Sequence, residues 1–218
     1  NEHPNTSIIW CDAITECATS EDKITVVTEN SRTINSQLLV GSDGAKSNTR
    51  RLANIDHEAA SYQQLAIIAS VTTSKPHDSC ARQRFLETGP LAFLPISNHQ
   101  CSIVWSADLE EANRLLTLSD AAFSEALAAA FNYELGSIAS VSLRKSFPLA
   151  RQHAKRYIGD RIALIGDAAH TVHPLAGLGA NQGISDAAAL SQIINARHSD
   201  NRDFSTRSVL RRYERWRR

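Results

Sequence analysis

No methionine occurs anywhere in these 218 residues, position 1 included. The opening Asn1–Ser7 reads like the interior of a gene product, so the chain is expected to be a piece of a longer one. Cysteine is scarce: Cys11, Cys17, Cys80 and Cys101 form no Cys-x-x-Cys pair and no metal-like spacing. That pattern argues for free thiols and against a zinc site or a disulfide framework. No apolar run approaches the roughly 20 residues that a bilayer-spanning helix needs. Net charge is also lacking, with 23 Lys and Arg against 23 Asp and Glu. This removes any global electrostatic case for nucleic acid or an anionic membrane. No internal repeat or low-complexity tract is found. What remains is ordinary globular composition, 42% hydrophobic and 21% charged, and enough length for one large domain or two modest ones.

Patterning predicts strands at residues 8–10, 23–28 and 33–40, with Glu21-Asp22 as a hairpin turn. Residues 45–54 read as a helix, 64–72 as a strand and 82–86 as a weaker one. Residues 91–96 and 100–106 form a hairpin around Ser97-Asn98-His99, with Cys101, Ile103 and Trp105 on one face. Helices follow at 108–116 and 120–131, the second capped by Ser119 or Asp120. Residues 141–147 read as a strand closed by Pro148. From Gly179 to Asn195, Ile184, Ala187, Ala188, Leu190, Ile193 and Ile194 recur at helical spacing. Residues 204–218 form a last helix with a strongly basic end, read chiefly as a solvated face and secondarily as a membrane or partner surface.

Two segments carry the chemistry. Leu38-Leu39-Val40 runs into Gly41-Ser42-Asp43-Gly44, and Ile162–Ile165 runs into Gly166-Asp167. Each is a short apolar strand that stops at a carboxylate and a glycine, as strands do where a ligand meets their C-terminal ends. After the second tip, Gly177, Gly179 and Gly183 surround Asn181 and a helix begins. Glycine permits close backbone approach, and the first helical turn offers unpaired N–H groups and a positive dipole end. Gly166-Asp167 taken alone is equally well a plain strand-to-turn ending. The glycine spacing GxGxxxG is not a dinucleotide fingerprint. His170 and His173 have the spacing of a metal pair without a further ligand cluster, and His170 is read as a structural hydrogen-bonding residue; no metal is expected.

These residues carry a family resemblance. Leu39-Val-Gly-Ser-Asp43-Gly44-Ala-Lys-Ser47-Asn-Thr-Arg50 resembles the Asp-Gly motif of class A FAD-dependent aromatic hydroxylases, the p-hydroxybenzoate hydroxylase type. Gly166-Asp167-Ala-Ala-His170 resembles their second FAD motif. His173-Pro174-Leu-Ala-Gly177-Leu-Gly179-Ala-Asn181-Gln-Gly183-Ile-Ser-Asp186 is similar to the signature of the ubiquinone-biosynthesis hydroxylases in that group. Ala92-Phe-Leu-Pro95 and Cys101-Ser-Ile-Val-Trp105 extend the likeness through the middle segment. Leu178 stands where the signature usually carries Gln.

The resemblance implies an α/β fold, α+β in its middle. A Rossmann-like FAD/NAD(P)-binding domain is interrupted by a mainly antiparallel-sheet substrate domain, and its N-terminal part is missing. Residues 1–58 would be the partial FAD-binding domain with the Asp-Gly motif, 59–150 the substrate-binding sheet, and 151–218 the FAD-binding return. The cofactor-binding residues implied are Asp43, Gly44, Ser47, Arg50, Gly166, Asp167, Pro174, Gly177, Gly179 and Asn181. Asp167 would accept hydrogen bonds from the ribityl chain, and Asp43 would meet the ribityl or pyrophosphate part, or Arg50. No catalytic base stands out; the loop of Pro174, Gly177 and Gly179 is the candidate contact for the oxygen adduct.

The implied reaction is hydroxylation of the aromatic ring of a polyprenyl phenol or quinol with O2, through a flavin C4a-hydroperoxide, in ubiquinone biosynthesis. NAD(P)H is the reductant of the wider class, though this subgroup need not use it directly. The resemblance implies a cytoplasmic protein with at most peripheral contact at the inner membrane, a place in a ubiquinone-biosynthesis complex, and no nucleic-acid partner. The alternatives are another flavin-dependent oxidoreductase of the fold, a dehydrogenase or halogenase, and a non-catalytic flavoprotein-fold subunit. The family's opening βαβ unit with GxGxxG is not in this sequence. The 218 residues alone are therefore expected to bind FAD weakly or not at all, and to be inactive.

Overall fold

A computed structural model describes residues 5–173, 178–200 and 202–218. The chain divides into two compact units, Asn1–Ala59 with Arg151–Arg218, and Ala60–Ala150. Among the described residues no helix is long and apolar enough to cross a membrane.

The first unit opens with β1 (Ile14–Thr19), β2 (Ile24–Thr28) and β3 (Thr33–Ser36), an antiparallel meander. The β1–β2 turn forms around Glu21-Asp22, where Ser20 N donates to the Lys23 carbonyl at 2.8 Å. Ile8-Ile9-Trp10 forms no strand, and Trp10 is 79% exposed. An apolar run with no ladder to join has nothing to hold it extended. The predicted strand over residues 33–40 breaks at Gln37-Leu38: β3 stays in the meander, and β4 (Leu39–Gly41) leaves for a different sheet. α1 (Asn48–Leu52) is shorter than the 45–54 the sequence predicts, because Ser47 caps it.

β5 (His57–Thr73) carries the chain into the second unit, followed by β6 (Arg82–Leu86), β7 (Gly89–Ser97) and β8 (Gln100–Asp108). α2 (Leu109–Thr117), α3 (Asp120–Ala130) and β9 (Ile138–Val141) complete it. The strands lie antiparallel in the order β9-β5-β8-β7-β6. Register pairs Ile67 and Leu91 with Trp105, and Phe93 and Ala69 with Ile103. These side chains share one face and pack with Leu115, Phe123 and Leu127 of the helices in a single core. Cys101 and Trp105 belong to that core, at 0% and 2% exposure. Each such fully buried side chain stabilises the unit by about 1.5–3 kcal/mol. Asp108 and Ser119 cap the two helices by accepting from Glu111 N and Ala122 N. The strand predicted over 141–147 is interrupted at Ser142–Arg144. There Arg144 turns aside to donate to Asp120 at 3.1 Å and covers the Phe123 ring at 4.9 Å. Pro148 lies inside the next strand, β10 (Lys145–Ala154), not at a strand end.

β10 leads back to the first unit, where β11 (Ile158–Gly159), β12 (Ile162–Leu164), a one-turn 3-10 helix (Gly166–Ala168) and β13 (His170–Thr171) follow. α4 (Leu178–His198) and α5 (Arg207–Arg217) close the chain. β11 and β12 form a hairpin through Asp160-Arg161, with Arg161 at φ +57. That conformation is uncommon for a residue with a Cβ. It is held by the buried guanidinium, which donates to the Glu21 and Gln37 carbonyls and pairs with Asp203 at 2.7 Å. Leu164, Leu190, Ile193, Leu210 and Tyr213 build this unit's core. The Tyr213 hydroxyl donates to the Leu164 carbonyl at 2.7 Å.

α4 buries only part of the stripe predicted for it, Leu190 and Ile193. Ile184 is 68% exposed, and Ala187 and Ala188 are exposed too. The inward face is Asp186, Ala189, Leu190 and Ile193. This is still helical spacing, but a carboxylate starts the stripe.

Candidate functional site

The two acidic tips are neighbours because their strands are. β12 pairs with β4 in parallel, Ile162 opposite Leu39 and Leu164 opposite Gly41, and Ile165 N donates to the Gly41 carbonyl at 2.9 Å. Both tips therefore leave the same end of one sheet, the C-terminal end where α/β folds gather ligands. Gly41 is required here: a Cβ would lie 2.8 Å from Leu164 and from Thr49.

The first tip is a closed loop. Asp43 accepts from the Ser47 hydroxyl with one oxygen and from Thr49 N, at 2.8 Å, with the other. Ser47 Oγ in turn accepts from Arg50 N at 2.9 Å. Partial burial raises the Asp43 pKa, and the bonds from Ser47 and Thr49 outweigh it, leaving the carboxyl below its usual range. Gly44 stands at φ +81, and a Cβ there would meet nothing within 4 Å. Arg50 is 5% exposed and does not hydrogen-bond Asp43. It donates to the Ala45 carbonyl of its own loop at 2.8 Å and to the Ala168 carbonyl of the second tip at 2.9 Å.

The second tip is open. Asp167 is exposed in the 3-10 turn, and its carboxylate makes no hydrogen bond among the described residues. Gly166, at φ +58, donates its N–H to Asp186 at 2.9 Å. α4 crosses so close that a Cβ on Gly183 would sit 3.3 Å from the Gly166 Cα. Asp186 has 0% exposure and takes three donors: Gly166 N, His170 Nε2 at 2.6 Å and Arg217 Nε at 2.6 Å. Burial alone would raise its pKa; the bonds from His170, Arg217 and Gly166 prevail and hold it low. Tyr157 stacks beside His170 at 5.5 Å, and burial pushes its hydroxyl up to about 12. His170 thus makes a buried structural hydrogen bond.

Gly179 and Asn181 lie in the first turn of α4. Asn181 is exposed, and a Cβ at Gly179 would meet nothing within 4 Å. Pro174 and Gly177 lie outside the described residues. The first tip thus brings together Asp43, Gly44, Ser47 and Arg50, and the second Gly166 and Asp167 against α4. Two residues that sequence reasoning gave no role, Asp186 and Arg217, turn out to hold the second tip. The available signal was a lone acid at the head of an apolar helical stripe. Arg207, Arg211, Arg212, Arg215 and Arg218 are exposed, as a solvated face requires; Arg217 is the exception.

Residues 13–218 match the FAD binding domain family. The mitochondrial ubiquinone biosynthesis monooxygenase COQ6 of Danio rerio is 36% identical over 88% of this chain and 46% of its own length. Ubiquinone hydroxylase UbiL of Rhodospirillum rubrum is 36% identical over 90% of this chain and 46% of its own. The chain spans about half the length of the curated relatives it matches. Among solved structures, PqsL of Pseudomonas aeruginosa, described as a probable FAD-dependent monooxygenase, superposes with a TM-score of 0.74. It is 25% identical, and the match covers 94% of this chain and 58% of that one. The chain belongs to the FAD binding domain family.

Proposed function

We propose that this member of the FAD binding domain family supplies the flavin-side half of the site in an FAD-dependent monooxygenase. Its substrate is the aromatic ring of a polyprenyl phenol or quinol. The observation that carries the reading is the pairing of β4 with β12, which sets a closed acidic loop beside an open one at the head of α4. The donors and spaces suit FAD. Among the described residues nothing engages the Asp167 carboxylate, which can accept from ligand hydroxyls, and a charged acceptor strengthens each such bond. The missing Cβ atoms of Gly44 and Gly179 leave open space against the backbone. The first turn of α4 carries no acidic residue and directs its positive end at any anionic ring edge placed there. FAD, when bound, supplies O2 activation and oxygen transfer to an electron-rich ring.

In this reading Asp167, Gly179 and Asn181 touch the cofactor; Pro174 and Gly177, which the resemblance adds, lie outside the described residues. Asp43, Ser47 and Arg50 shape the loop that carries Gly44 and brace Ala168. The second unit offers the substrate surface. On the sheet face away from α2 and α3, Phe85 is 73% and Leu94 42% exposed, with Ile68, Ala92 and Val104 half-buried around them. An apolar face of this kind suits a prenylated ring better than a charged metabolite. The names of the curated relatives support the same substrate class. Peripheral contact with a membrane, or a place in a biosynthetic complex, would give access to so apolar a substrate.

The test is made on the full-length gene product. It should carry flavin, absorbing near about 450 nm, and convert a prenylated phenol, O2 and a reductant into a product heavier by one oxygen. A colourless protein overturns the reading. Oxidation without oxygen insertion, or halide-dependent substitution, moves it to a dehydrogenase or a halogenase of the same fold.

A further inference from the structure

The turn that presents Asp167 is only three residues long, Gly166–Ala168. One 3-10 turn has little stability of its own, so its shape depends on what holds its two ends. Each end is held by a buried side chain of opposite charge. At the leading end, Gly166 N donates to the fully buried Asp186 at 2.9 Å. At the trailing end, the Ala168 carbonyl accepts from the buried Arg50 guanidinium at 2.9 Å.

The Asp186 charge is balanced inside the protein by Arg217, in the last turn of α5, which also donates to the Gln182 carbonyl at 3.4 Å. The pair therefore fastens α5 and α4 to the strand tip. A carboxylate at 0% exposure has lost its water, so its bonds to Gly166 and Arg217 are charge-assisted and lie where the dielectric is low. Asp186 also sits where the helix stripe would otherwise take an apolar residue. A buried ion pair is a weak device for stability alone, which argues that this one serves orientation.

We infer that Asp186 and Arg217 are positioning residues: with Arg50 they clamp the turn so that the Asp167 carboxylate is delivered to the flavin in one orientation. The inference rests on the reading that Asp167 binds FAD. It predicts that Asp186 and Arg217 act on FAD affinity through Asp167 and not independently of it.

A double-mutant cycle on the full-length protein tests this. FAD affinity is measured by flavin fluorescence titration of the apoprotein, with far-UV circular dichroism confirming the fold of each variant. Asp186→Asn should weaken FAD binding about tenfold when Asp167 is present, and less than twofold in an Asp167→Ala background. Arg217→Gln should follow the same pattern more mildly, with Arg217→Lys restoring most of the loss. If Asp186→Asn does not fold, the Arg217→Gln cycle decides. Equal losses in both backgrounds, or no loss in either, overturn the inference and leave the FAD reading intact. A wild-type apoprotein that takes up no FAD overturns both.

Discussion

Asp43 and Asp167 lie just beyond the ends of adjacent parallel strands, and both are exposed. Asp43 has both oxygens engaged, by Ser47 and Thr49. Asp167 has neither engaged among the described residues, although the turn around it is gripped from both sides. The same residue type thus does two jobs beyond the ends of two paired strands. One carboxylate builds a loop, and the other is kept free while buried charges build its loop for it. The lesson is that a motif aspartate contributes to a ligand site through what its own oxygens are left to do.

The difference can be broken most severely at Asp186. Asp186→Asn leaves Arg217 short of its counter-charge inside the protein, and removing one partner of a buried pair costs about 3–5 kcal/mol. Urea unfolding of the apoprotein should show a loss of that size. The pH dependence sharpens the point. The Asp186 pKa is depressed in the folded state, so its contribution is present above the ordinary aspartate value of 3.8 and is lost as pH falls through the lower folded value. The stability gap between wild type and Asp186→Asn should be flat at neutral pH and close as pH falls below about 4. A gap that persists unchanged into strong acid would mean that the charge is not what matters.

Asp43→Ala is the next step down. It removes two hydrogen bonds at an exposed loop, worth about 1 kcal/mol together, and a thermal melt should fall by a few degrees. Asp167→Ala should change stability least, within about 0.5 kcal/mol, because no described protein group depends on that carboxylate. Equal melting losses at the two positions would erase the distinction between a closed and an open tip.

How much of this was legible in the sequence follows from how local each feature is. The two tips were readable because each is a short apolar run cut off by glycine and aspartate. Their adjacency followed only from the family resemblance, since the parallel pairing joins residues 39–41 to 162–164 across an entire second unit. Ser119 as a cap and the Ser97–His99 hairpin depend on neighbours only, and the structure contains both. Ile8-Ile9-Trp10 misled because apolar content alone does not supply a pairing strand, whereas β1, with Thr, Glu and Cys, has one. Arg217 was indistinguishable from four exposed arginines on the same helix; only the fold brings it to Asp186, 31 residues away. Arg161 was hidden likewise, its partners lying as far back as Glu21 and as far on as Ser205. Long-range charge pairs leave no periodic trace, so the residues that support the site were invisible where those that form it were not.

The central claim is that the carboxylate of the open tip, not that of the closed one, meets the cofactor. Its most direct test is the FAD dissociation constant of full-length wild type, Asp167→Ala and Asp43→Ala, measured by fluorescence titration beside a thermal melt. Asp167→Ala should bind FAD at least about tenfold more weakly, a loss of about 1.4 kcal/mol, with its melting unchanged, while Asp43→Ala should lose stability first and affinity less. Wild-type affinity in Asp167→Ala would contradict the account.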